Sequence, residues 1–154
     1  MALRQPVGRD LRFLLTAVKV DTDLERIGDE CVNIAERARE MADKDDLPGP
    51  HVDLVQMGER AGDMLRAALD AFVEEDDDKA RKVFEMDDAV DKLHGHCLRQ
   101  SVQFIKDHPE RAHGTMRVAS CAKYLERVGD HATNIAEMVV FLVRAEDVRH
   151  EGKL

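Results

Sequence analysis

The chain has 154 residues, with 23 Lys and Arg against 32 Asp and Glu, a formal net charge of −9 and a pI near 5.2. That size suits one domain or a unit built twice, and the acidic surface argues against nucleic-acid and anionic-membrane partners, which require a basic patch. Apolar residues make up 44% and aromatics only 4%, with no Trp, which favours helices with aliphatic cores over an aromatic-rich β sandwich.

The first segment starts after Pro6 and Gly8 and keeps a helical period to about Asp43. Pro6, Asp10 and Lys19 leave no uninterrupted apolar run for a signal peptide. Residues 45–50, framed by Lys44 and closing on Pro48-Gly49-Pro50, stop the helix and read as a linker. A second helix follows from about His51 to Glu74, with Leu54, Met57, Ala61, Leu65, Ala68 and Phe72 on one face. The acidic run Glu74-Glu75-Asp76-Asp77-Asp78 breaks the pattern, and its last members suit an N-cap and first turn. A third helix continues to about Lys106, with Val83, Met86, Val90, Leu93 and Cys97 aligned. Pro109 is placed to open a fourth, ending near Glu146. Its apolar run Met138 to Val143 is far short of the roughly 18–20 residues needed to span a bilayer. The fold class is therefore all-α, an antiparallel bundle of long helices. Three cysteines without CxxC spacing (Cys31, Cys97, Cys121) read as free buried thiols, and the expected location is cytoplasmic.

One string occurs twice. Residues 24–36 and 125–137, offset by 101, agree at nine of thirteen positions, including Leu24-Glu25-Arg26, Gly28-Asp29 and Asn33-Ile34-Ala35-Glu36. Helical periodicity preserves apolar character, not the same Glu, Gly, Asp and Asn, so a duplicated unit is the simplest account. Glu25 and Asp29, like Glu126 and Asp130, project one turn apart, and like charges at that spacing cost about 0.2–0.5 kcal/mol. Gly28 and Gly129 in mid-helix each cost about 1 kcal/mol relative to Ala. A hard cation held by oxygen ligands would explain both penalties, with Asp87 and Asp91 on the third helix facing Glu126 and Asp130, and Asn33 and Asn134 as additional ligands. The bland alternative pairs Asp29 with Arg26 and Asp130 with Arg127 on solvated faces, the glycines serving only close helix packing.

At these residues the sequence resembles the PhoU family of phosphate-transport accessory and regulatory proteins. The likeness rests on Leu3-Arg4-Gln5-Pro6 with Asp10-Leu11-Arg12, on Asp23 to Asp29, and on Tyr124 to Asp130, and it covers essentially the whole chain. It implies two three-helix bundles related by duplication, each binding metal through E/DxxxD carboxylates. It further implies negative regulation of phosphate uptake and of the phosphate-starvation response, by contact with the ATPase subunit of the phosphate ABC transporter and a sensor histidine kinase. The protein would then approach the membrane only through these partners and would catalyse no reaction. By that likeness Asp87, Asp91, Glu126 and Asp130 hold the second metal site, and Glu25 and Asp29 contribute to the first, the ion being iron, zinc, manganese or magnesium. The family's two helices ahead of Leu3 are expected to be absent. Residues 1–44 are then the third helix of an incomplete first bundle, 45–50 the linker and 51–148 the second bundle.

The leftover helix carries Leu11, Leu14, Leu15, Val18, Ile27, Ile34 and Ala38, so it should pack on the second bundle or a second chain, giving a homodimer or higher oligomer. A ferritin-like di-iron oxidase needs two Glu-x-x-His motifs, and only Glu110 to His113 has that form. A metal-free helical interaction module is the other alternative. His94 and His96, two apart, read as surface residues.

Overall fold

The computed structural model describes residues 5–43, 54–146 and 148, and within them every regular element is helical. The elements are α1 (Gly8–Asp43), α2 (Leu54–Glu74), α3 (Asp77–Asp107), a 3-10 turn (Pro109–Arg111) and α4 (Ala112–Arg144). The linker read at 45–50 lies outside the described residues.

Glu75 and Asp76 are all that separate α2 from α3, so the two helices fold back as a tight antiparallel hairpin. Glu75 adopts a left-handed φ of 51°, and the Asp76 carboxylate accepts from the Lys79 amide at 3.0 Å. That cap, with Asp77 and Asp78 in the first turn, places the acidic run where the helix N-terminus favours negative charge. The far end starts differently from the sequence expectation. Pro109 opens a 3-10 turn rather than α4 itself, and α4 begins at Ala112. A left-handed Ala145 ends α4, its amide donating to the Phe141 carbonyl at 2.9 Å.

Helix α4 is the hub, packing against α1, α2 and α3, and it is the helix along which α1 lies. The α2–α3–α4 core is aliphatic and dry. Met57, Met64, Ala68, Val83, Val90, Ile135 and Val139 are completely buried within it. At about 25 cal/mol per Å² such side chains supply most of the folding drive. Arg144 donates to buried Asp77 at 2.7 Å, closing the bundle end and holding that carboxyl below its ordinary range.

Helix α1 runs antiparallel to α4, with Asp23 beside His131 and Asn134, Glu30 beside Arg127 and Glu40 beside Arg117. Of the two expected places for α1, a second chain and the second bundle, the structure has it on the second bundle, although a second chain was the favoured expectation. Its N-terminal end also reaches α2, where Phe13 stacks on Phe72 at 6.2 Å and Arg9 pairs with Glu75. Leu11, Leu15, Val18 and Val32 stay exposed on the side away from α4. Cys31 is exposed too, contrary to the reading of three buried thiols, because it lies off the stripe of α1 that meets α4.

Candidate carboxylate site

Residues 87, 91 and 94 share one face of α3, and 126 and 130 share one face of α4. Antiparallel packing brings these faces together. The Glu126 carboxylate lies 3.6 Å from His94 Nδ1, and the side chains are 26% and 17% exposed. His94 is thus drawn against the acidic face rather than left on the surface as the two-residue spacing to His96 suggested. The signal for it was its three-residue offset from Asp91, which puts it one turn along the Asp87–Asp91 face.

The Asp130 carboxyl is pushed above its ordinary range, first by partial burial and then by the negative charges of Glu126 and Asp91, with His131 and Arg127 opposing. Three acids from two helices therefore act on one another here, and Asp130 itself remains solvent-accessible. Asp87 is half-buried one turn before Asp91. Gly129 lies under the core: a Cβ there would make ordinary contact with Met64 at 3.6 Å and Val90 at 3.7 Å. Among the described residues, no group of three or more His, Cys, Asp or Glu side chains converges closely enough to hold a metal ion.

The first copy of the string has other surroundings. Glu25 and Asp29 are exposed, and Asp29 lies 3.7 Å from Arg26, the pairing of the bland alternative. A Cβ at Gly28 would meet nothing within 4 Å. Asn33 donates to Glu30 at 3.0 Å, and Asn134 donates to Asp23 at 3.2 Å. Both amides thus serve local and cross-helix hydrogen bonds. Glu110 and His113, the lone Glu-x-x-His, are exposed at the bundle end. Asp23 and His131, which sequence reasoning did not single out, meet at 2.8 Å across α1 and α4.

These features define a helical bundle in which two related helices carry the same acidic string, the carboxylate pair of one lying against a helical hairpin and that of the other facing outward. The PhoU domain profile matches residues 1–38 and 54–139. The chain is 40% identical over 152 residues to a phosphate-specific transport system accessory protein PhoU homolog of Pseudomonas putida, and 39% identical to that of Pseudomonas aeruginosa. It covers 59% and 63% of their lengths, with 99% of its own residues aligned. The crystal structure of PhoU from Pseudomonas aeruginosa superposes with a TM-score of 0.90 at 37% identity, covering 94% of this chain and 69% of that one. The phosphate transport system regulatory protein PhoU from Streptococcus pneumoniae gives 0.86 at 29%, covering 95% and 69%. The chain belongs to the PhoU family. No helix among the described residues is long and apolar enough to cross a membrane.

Proposed function

We propose that this chain is a non-enzymatic regulator of phosphate uptake and of the phosphate-starvation response. It acts in the cytoplasm by protein–protein contact with the transporter's ATPase subunit and a sensor histidine kinase, and as a homodimer or higher oligomer. The observation that carries this reading is the twice-repeated Leu-Glu-Arg-x-Gly-Asp string within a chain whose relatives are named as phosphate-transport accessory proteins. A host strain lacking its own family member supplies the test. Expression of this chain should restore repression of a phosphate-starvation reporter in phosphate-rich medium, and an unchanged reporter would count against the reading.

Metal binding belongs to the same proposal. Asp87, Asp91, Glu126 and Asp130 would hold the ion, with Glu25 and Asp29 forming the weaker, outward site. Support comes from the mutual charge pressure on Asp130, which a cation would relieve. Iron, zinc, manganese and magnesium all suit a donor set of carboxylates, and the ion's contribution would be to neutralise and gather these acids. Elemental analysis of protein purified without chelator should find metal that disappears with Asp87→Ala plus Asp130→Ala.

A second reading, a metal-free helical module, draws on the pairing of Glu126 with His94 and of Asp29 with Arg26. Melting temperatures indifferent to chelator and to added divalent ions would favour it over the metal reading.

A further inference from the structure

Helix α1 is held to the bundle by a different kind of contact from the one that holds the bundle together. Its completely or nearly buried apolar side chains are Val20 and Ile27, two in a helix of 36 residues. Phe13, stacked on Phe72, and the half-buried Met41 add apolar contact at its two ends, and between them polar pairs recur along the helix. Asp23 accepts from His131 at 2.8 Å, Glu30 pairs with Arg127 at 3.0 Å and Glu40 pairs with Arg117 at 3.2 Å. Glu30 is the deepest of these acids, its side chain only 5% exposed, while Arg127 remains 45% exposed.

The contact also carries unmet desolvation. The Thr16 hydroxyl is fully buried without a hydrogen-bond partner, and the Nε atoms of Arg12 and Arg37 are buried in the same condition. Buried polar atoms left unpaired oppose docking, whereas separation returns each of them to water. Nor does α1 gain from its other side, where Leu15, Val18 and Val32 stand exposed.

We propose that α1 is a releasable arm, which swings off α4 as one cooperative unit while α2, α3 and α4 stay folded. Local opening of this kind is expected where few apolar side chains are buried and polar contacts carry the attachment. Release uncovers a row of basic or titratable groups on α4, namely Arg117, Arg127 and His131, in a chain of net charge −9. In the docked state the acids of α1 neutralise that row, so the arm is an internal cover for the one cationic stripe this interface contains.

Native-state hydrogen exchange on the 154-residue chain tests the proposal. The slowest amides of α1, between Val20 and Arg37, should exchange at least about tenfold faster than the slowest amides of α4 between Val128 and Val140. Arg127→Gln strands the buried Glu30 carboxylate and should speed α1 exchange by a further factor of about ten or more, leaving the slowest α2 and α3 amides unchanged. Glu40→Gln, where the acid itself is less buried than Glu30, should act in the same direction by a smaller factor. Raising sodium chloride should also speed α1 selectively, because the pairs are screened. Equal protection in α1 and α4 would overturn the proposal. So would an Arg127→Gln variant that speeds all four helices in proportion.

Discussion

Nearly the same thirteen residues lie in two surroundings: Ile27 and Val128 are equally buried, but at several other positions the second copy is enclosed where the first is open. Gly129 is packed beneath Met64 and Val90, and Gly28 has nothing within 4 Å. Leu125 rests on Gly58, and Leu24 is 37% exposed. Ala132 is completely buried, and its counterpart Cys31 is exposed. Glu126 and Asp130 lie among the acids and His94 of α3, whereas Asp29 meets only the neighbouring turn at Arg26. The local helix is the same in both; only the second copy has a helical hairpin across from it. Carboxylates at i and i+4 are therefore not a site by themselves. They become one when another element supplies facing charge and removes water.

Substitutions can separate the copies by size of effect. Met64→Ala removes the completely buried side chain against Gly129 and should cost about 2–5 kcal/mol of global stability in denaturant titration. No side chain plays that part over Gly28. Next come the glycines. Gly28→Ala should stabilise by about 1 kcal/mol, since helix propensity improves and the added methyl meets open space. Gly129→Ala should gain more, because its methyl adds ordinary van der Waals contact with Met64 at 3.6 Å and Val90 at 3.7 Å to the same gain in helix propensity. Equal gains in thermal melts would mean that the two environments do not differ as described.

The smallest effect lies with the acids. Asp130→Asn should stabilise the metal-free protein by about 0.2–0.5 kcal/mol at neutral pH, by relieving repulsion from Glu126 and Asp91. The sign with pH follows from the upward shift. Below the ordinary carboxylate value of 3.8 the side chain is protonated in both folded and unfolded states, and the gain vanishes. It grows as pH rises toward the elevated value and is constant above it. Asp29→Asn, at an exposed pair, should show no comparable pH-dependent gain, and melting curves from pH 3 to 8 compare the two.

Much of the architecture was legible from single residues. Pro6 with Gly8, and Asp76 with its acidic neighbours, mark helix ends through donor loss and capping. The period of Met57, Ala61 and Ala68 named the buried face of α2 correctly. The repeat and the acidic pairs were visible as strings. His94, the Asp23–His131 contact and the exposure of Cys31 were not, because each depends on which helix lies opposite and in what register.

Taken alone, the amino-acid order determined that four long helices form, where α2 gives way to α3, and that one acidic string is written twice. Those properties rest on interactions within a turn or two of chain, which periodicity and capping residues encode directly. Tertiary structure decided that α4 would be the shared wall, that Glu126 and Asp130 would lie against a hairpin while Glu25 and Asp29 face solvent, and that acids and bases would line the contact of α1 with α4. Those outcomes depend on contacts between residues far apart in the chain, such as His94 with Glu126 and Asp23 with His131, and helical period carries no record of them.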